Sequence, residues 1–345
     1  MYAFVLGKNK ELSKEELSCY FETNNIKFKI INEGNDFLII DTKIDPEIIK
    51  DLGGTLKIGK VTPLEDIRVE GIYGVSLYGV PSHTVFRVKK KIKENNKAKL
   101  FITRKDKLTA VEIVMKDLIG REVLVLRSKK IYYAITQSVY DPFEYKKLDV
   151  ERPNQRGMLS IPIRLSKIMI NLAKLKKGDT ILDPFCGYGT ILQSALLSGI
   201  NVYGSDKDED CTESAELNIE WLKEQYKIKA KHKFKTSDVL DLETEDKFDA
   251  IVTESYLGPP LRKSVTEERA QEIIDELNTF YEKALEKLST VLKKGKRIII
   301  ILPVIRTRDK TFRMSIEPKD LKLIKKISDI HPKHITGREI FIFEK

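Results

Sequence analysis

The chain has 345 residues, 41% hydrophobic and 33% charged, and its 62 Lys plus Arg exceed 52 Asp plus Glu to give a net charge of +10. That length carries two or three domains at roughly 150 residues each, and the composition supplies a sizeable core beneath a highly charged surface. The basic balance points to a polyanionic partner or to a generally charge-rich protein of the kind found in heat-adapted organisms.

Cys19, Cys186 and Cys211 are odd in number and far apart, so neither a disulfide framework nor a C-x-x-C zinc pattern is present. His83, His232, His331 and His334 show no metal-ligand spacing, and His331 and His334 read as loop residues around Pro332. No stretch approaches 18 apolar residues, and the start Met1 to Leu6 reads as a strand rather than a signal peptide. A cytosolic protein without a membrane segment is expected.

Residues 1–6 are followed by a helix over about Ser13 to Thr23, with Ser13 and Glu16 spaced as a capping box. Ile26 to Ile31 and Asp36 to Thr42 flank Asn32-Glu33-Gly34-Asn35, a hairpin signal. A short helix from Pro46 to Leu52 and a strand from Thr55 to Val61 complete a β-α-β-β-α-β order, which fits a small ferredoxin-like module over 1–66.

A second α/β unit is predicted over 67–140, with strands at Ile72 to Val80, Ala98 to Thr103, Glu122 to Leu126 and Tyr132 to Val139. Its helices span about Ser82 to Glu94 and Leu108 to Leu118. Arg87, Lys89, Lys90, Lys91, Lys93, Arg104 and Lys105 crowd into it with few acids between them. Any one of these lysines suits a solvated helix face, but the cluster would neutralise phosphates without reading bases. Residues 141–160 read as a linker, broken at Asp141-Pro142 and Arg152-Pro153.

From 161 to 345 strands alternate with helices, which predicts a doubly wound, mostly parallel sheet. An apolar helix over about Ile163 to Leu175 leads to Thr180-Ile181-Leu182, then to Asp183-Pro184-Phe185-Cys186-Gly187-Tyr188-Gly189-Thr190. Next comes an apolar helix from Ile191. This is a strand, a glycine turn and a helix start, where glycine permits positive φ and close approach of a ligand. It is neither G-x-G-x-x-G nor a P-loop, because no Gly-Lys-Ser/Thr follows. Asp183 would repel a pyrophosphate and suits a ligand with positive charge such as the ammonium of a methionine moiety, which points to S-adenosylmethionine. Asp206 ends the next strand at about the 20-residue spacing at which a carboxylate meets ribose hydroxyls. Asp238 ends a third strand, where it either meets an adenine amino group or caps a turn. The fourth strand, Phe248 to Thr253, runs into Glu254-Ser255-Tyr256-Leu257-Gly258-Pro259-Pro260. A helix over Glu267 to Leu292, a strand at Arg297 to Leu302, a helix at Lys319 to Ile327 and a strand at Glu339 to Phe343 close the chain.

Methyl transfer to an exocyclic base nitrogen needs the amine aimed in line at the methyl, an acceptor for its proton, and an aromatic surface for the base. Glu254 supplies such an acceptor and Tyr256 such a platform; a solvated turn carboxylate and a packed loop aromatic are the bland alternatives.

Asp183 to Thr190 resembles the D-P-F-C-G-x-G-T motif of the THUMP-domain RNA methyltransferases, in particular the tRNA guanine-10 N2-methyltransferases. Arg152-Pro153, Gly157-Met158-Leu159 and Ser166 to Ala173 are similar to that family's approach to the motif, and Phe4 to Gly7 and Gly53 to Gly59 to its N-terminal module. The resemblance implies a Rossmann-like class I methyltransferase domain preceded by ferredoxin-like and THUMP α+β modules. It also implies S-adenosylmethionine as cofactor, with Asp183, Phe185, Gly187, Gly189, Thr190, Asp206 and Asp238 around it. A THUMP domain would grip the 3′ end of tRNA, and some relatives work with a small zinc-binding activator protein. The family's Asp/Asn-Pro-Pro-Tyr/Phe is replaced here by Glu254, Ser255, Tyr256 and Leu257. Methylation of another RNA site or of DNA, and tRNA binding without transfer, are the alternatives.

Overall fold

A computed structural model describes residues 1–95, 98–101, 106–155, 161–261, 265–331 and 334–345. The chain divides into two units, Met1–Leu148 and Asp149–Lys345.

The first unit runs β1 (Tyr2–Leu6), α1 (Lys10–Thr23), β2 (Phe28–Glu33), β3 (Phe37–Thr42) and β4 (Thr55–Val61), with a 3₁₀ turn at Pro46–Lys50 before β4. It continues with β5 (Gly71–Tyr78), α2 (Thr84–Asn95), β6 (Ala98–Leu100), α3 (Ala110–Met115), β7 (Glu122–Arg127) and β8 (Ile131–Val139). All eight strands form one sheet in the order β2-β3-β1-β4-β8-β7-β5-β6, so the two small modules read from the sequence share a single continuous sheet. The join is antiparallel pairing of β4 with β8, Lys57 opposite Val139 and Val61 opposite Ala134. The expected linker holds α4 (Pro142–Val150), which Asp141 caps through Phe143 N at 2.8 Å.

Two polar devices stitch this unit. Helix α1 begins one turn earlier than Ser13 because the Asn9 side chain accepts from Leu12 N. Glu16 therefore lies inside the helix, and its buried carboxylate accepts from Gly53 N and Gly54 N, each at 2.7 Å, instead of closing a capping box. Below the sheet, Lys57 Nζ pairs with Glu122 and donates to Leu108 O at 2.9 Å, while Thr136 Oγ1 donates to the other Glu122 oxygen at 2.6 Å. Both charges are buried, and such a pair holds only because its remaining lone pairs and protons are satisfied.

The second unit contains α5 (Ile163–Leu172), β9 (Thr180–Asp183), α6 (Thr190–Leu197), β10 (Asn201–Asp206), α7 (Glu209–Tyr226), β11 (His232–Thr236) and β12 (Phe248–Glu254). Then follow α8 (Glu267–Val291), β13 (Leu292–Arg306), β14 (Thr311–Arg313), β15 (Lys322–Asp329) and β16 (Thr336–Glu344). The sheet order is β11-β10-β9-β12-β13-β16-β15, parallel from β11 to β13 and antiparallel beyond. The segment Lys319 to Ile327, predicted as a helix, is instead a turn at residues 319–320 followed by strand β15 from Lys322 onward. Leu321, Ile324 and Ile327 carry a helical spacing, but pairing along Leu323↔Phe343 and Ile327↔Ile340 overrides it. Helix α8 lays Ile273, Leu277, Tyr281, Leu285 and Leu288 on the sheet against Ile251, Ile298 and Ile300, the apolar seam of an amphipathic helix.

The chain leaves β9 towards β10 and β11 on one side, then returns to β12 on the other. This reversal of strand order opens a crevice at the carboxyl ends of β9 and β12, where ligands of open α/β sheets bind.

Candidate active site

Asp183 ends β9 at that reversal of strand order. It is 1% exposed, its Oδ1 accepts from Thr253 Oγ1 at 2.6 Å and from Phe185 N at 3.2 Å, and burial pushes its carboxyl up to about 7. The neighbouring Asp206 and Glu254 charges act in the same direction, against those two hydrogen bonds. A carboxyl held this way gains from any cation that reaches it.

The glycine turn follows. Gly187 has φ +49° and Gly189, which caps α6, has φ +81°; a side chain at either position would be strained. A Cβ on Gly187 would enter open space, so the turn presents bare backbone to the crevice. Asp206 spans the turn, accepting from Gly187 N at 2.9 Å and from Asp208 N at 3.2 Å. Its backbone carbonyl accepts from Ser237 N, which brings Asp238 alongside. The Asp238 side chain caps a 3₁₀ turn through Leu240 N at 2.9 Å, the turn role weighed from the sequence. Thr190 opens α6 with its hydroxyl accepting from Arg152 Nη1 at 2.8 Å. Phe185 packs edge-on against Phe280 and Tyr281 of α8 and is half-buried.

At the end of β12, Glu254 is joined by Arg338, whose Nε donates to Glu254 Oε1 at 2.6 Å. Burial raises the Glu254 carboxyl above the usual range, and the guanidinium opposes that rise. Beyond it, Ser255 Oγ donates to Ile301 O at 2.7 Å, and Tyr281 Oη to Tyr256 O at 2.6 Å, so side-chain hydrogen bonds hold this turn without prolines at its first positions. Tyr256 itself is 55% exposed, free to meet a planar ligand.

Asp183, Asp206, Asp238 and Glu254 thus stand on the ends of β9, β10, β11 and β12 as the sequence led us to expect. Thr253, Tyr281 and Arg338 were not legible. Arg338 reaches Glu254 only through the antiparallel register of β16, for which no local pattern exists.

In the first unit, α2 buries Val88 and Ile92 and exposes Arg87, Lys90 and Lys93; Lys89 and Lys91 are half-buried, and Lys91 pairs with Glu94 at 3.0 Å. Arg104 and Lys105 lie outside the described residues. Among the described residues, Glu216, Glu220 and His232 alone place ligand-type atoms within 4.8 Å of one another, with Lys223 Nζ 3.0 Å from His232 Nδ1. No described helix is long and apolar enough to cross a membrane.

A family model for the RMKL-like methyltransferase domain matches residues 154–327, which contain the glycine turn and all four strand-end carboxylates. The chain belongs to that family. A DNA methylase model also matches residues 83–217. The tRNA (guanine(10)-N2)-dimethyltransferase of Pyrococcus abyssi is 28% identical over 326 residues, 88% of each chain. The enzyme of the same name from Methanothermobacter thermautotrophicus is 33% identical over 155 residues, 44% of this chain and 42% of that protein. TrmN from Thermus thermophilus shares the fold at TM-score 0.56 and 15% identity, over 100% of this chain and 99% of that one. A possible methylase from Clostridium difficile 630 does so at TM-score 0.53 and 16% identity, over 99% and 97%.

The methyl donor of an RMKL-like methyltransferase domain here is S-adenosylmethionine, and the residues fit it. A buried carboxyl that gains from a cation, a bare backbone turn and a carboxylate across it match an ammonium, a chain and a ribose.

Proposed function

We propose that the protein methylates the exocyclic N2 amine of a guanosine in tRNA, at position ten, with Glu254 as proton acceptor and Tyr256 as the surface for the base. The observation that carries this reading is a carboxylate at the end of β12, beside the crevice, with an exposed tyrosine two residues on. The names of the two dimethyltransferase relatives support the substrate. S-adenosylmethionine supplies an electrophilic methyl on a sulfonium that leaves as a neutral thioether.

In this reading Asp183 faces the ammonium, Asp206 the ribose and Asp238 the adenine end, with Phe185, Gly187, Gly189 and Thr190 around them. Tyr256 would hold the base so that the guanine amine's lone pair lies in line with the methyl, which the bound donor would give up while the C–S electron pair stays on sulfur. The nitrogen becomes acidic as it alkylates and gives a proton to the Glu254 carboxylate. The exposed cations of α2 would grip tRNA phosphates, with residues 67–140 as the RNA-binding THUMP module between the N-terminal module and the methyltransferase domain. The reaction belongs to the cytoplasm, with or without a small zinc-binding activator.

The test is transfer from labelled S-adenosylmethionine into unmodified tRNA, with the nucleoside identified by mass spectrometry. N2-methylguanosine at position ten, lost in Glu254→Ala with S-adenosylhomocysteine still bound, supports the reading. Label in DNA or at another RNA position, or none with tRNA and cofactor both bound and an activator added, overturns it.

A further inference from the structure

We propose that Arg338 is a positioning residue for methyl transfer, clamping one oxygen of Glu254 so that the carboxylate is fixed for the target amine. The inference rests on the reading above. Ile301 of β13 stands opposite both Glu254 and Ile340, so Arg338, two residues before Ile340 on β16, lies about 7 Å beyond the level of Glu254 towards the mouth of the crevice. The guanidinium reaches back across β13, and the carboxylate reaches up to meet it at 2.6 Å. The longer acid supplies part of that span. An aspartate, shorter by one methylene, would fall about 1.5 Å short of that bond. The departure of this chain from the Asp/Asn that the resemblance leads one to expect is thus matched by a partner elsewhere in the chain.

The clamp engages one oxygen only. Among the described residues, no hydrogen bond reaches Glu254 Oε2. The pair is not sealed in the core, because Glu254 and Arg338 side chains are 14% and 27% exposed. The charged groups facing Glu254 are Arg338 from β16 and Asp183 from β9. Arg338 therefore also offsets the repulsion between two neighbouring carboxylates and favours the ionised acceptor.

Arg338→Gln and Arg338→Lys test this. With tRNA under saturating cofactor, Arg338→Gln should lower kcat by about 100-fold, the scale of a misplaced acceptor, with tRNA KM changed less than about threefold. The acidic limb of the kcat–pH profile should move to higher pH, and Arg338→Lys should restore part of both. A loss that appears in KM alone would make Arg338 a phosphate contact. A loss with an unmoved pH profile, in step with a lowered Tm, would make it structural. Either result overturns the proposal. If the wild type leaves tRNA unmethylated, the substrate reading fails separately, and the clamp is read without turnover. Carbon-13 NMR of the Glu254 side-chain carboxyl, assigned with Glu254→Gln, should show a raised titration in Arg338→Gln; an unchanged titration overturns the clamp.

Discussion

Thr253 and Asp183 meet across neighbouring parallel strands, the threonine hydroxyl donating to the buried carboxylate at 2.6 Å. Burial still wins, and the carboxyl is pushed up to about 7. The folded state thus binds a proton that the unfolded chain releases near pH 4, so this group's contribution to stability is full below pH 4 and is lost as pH rises to 7.

A cationic ligand reverses the preference. S-adenosylhomocysteine, which keeps the ammonium, should bind more tightly as pH rises from 5 to 7, by up to about tenfold per unit, and level off above. Titration calorimetry in buffers of different ionisation enthalpy should show proton release below pH 7. Asp183→Asn should flatten the dependence; a flat wild-type profile would remove Asp183 from the ammonium site.

The two glycines of the turn should respond differently. Gly189→Ala forces a side chain into φ +81° and brings its Cβ to 3.3 Å from Ala215 Cβ, so stability should fall by about 1–2 kcal/mol or more. Gly187→Ala meets no neighbour within 4 Å and would stand in open space on the turn proposed to hold the cofactor. Its loss of cofactor affinity should exceed its loss of stability. Calorimetric Tm and Kd for S-adenosylhomocysteine separate the two, and equal effects would mean that the Gly187 backbone does not face the ligand.

Helix α2 presents Arg87, Lys90 and Lys93 to solvent from a strip anchored by Val88 and Ile92. Replacing all three with Ala should weaken tRNA binding and reduce the slope of log K against log salt by about 2–3, at 0.7–0.9 per phosphate contact. An unchanged slope, measured by filter binding between 50 and 200 mM salt, would place the RNA on another face.

The Lys57–Glu122 pair ties β4 to β7 below the sheet of the first unit. Lys57→Met leaves Glu122 buried without its counter-charge and should cost about 3–5 kcal/mol. Native-state hydrogen exchange of the β4 and β7 amides should lose protection accordingly. Protection retained in full would mean that the hydroxyls of Ser76 and Thr136, which both donate to Glu122, suffice for the carboxylate.

What the sequence disclosed follows the range of the physics. Strand-end carboxylates were legible because a glycine turn and an apolar run fix them locally. The hairpin at Gly34 and the N-terminus of α8 at Thr266 carry their own turn and cap chemistry. Ser13 misled because a better cap, Asn9, lies one turn earlier. Strand β15 misled because its isoleucines carry a helical spacing that only pairing with β16 overrides. Arg338 was invisible for the same reason: eighty-four residues separate it from Glu254, and the sheet alone brings them together.

That continuity of pairing has a consequence for synthesis in the first unit. Strand β4 leaves the ribosome long before β8, which completes its second edge. Until Val139 has emerged, the N-terminal strands present an unpaired edge to the surroundings, and long-range closure of this kind is slow. The growing chain is therefore most vulnerable to aggregation while residues 62–139 are being made. A cut near residue 66 would recreate that open edge permanently.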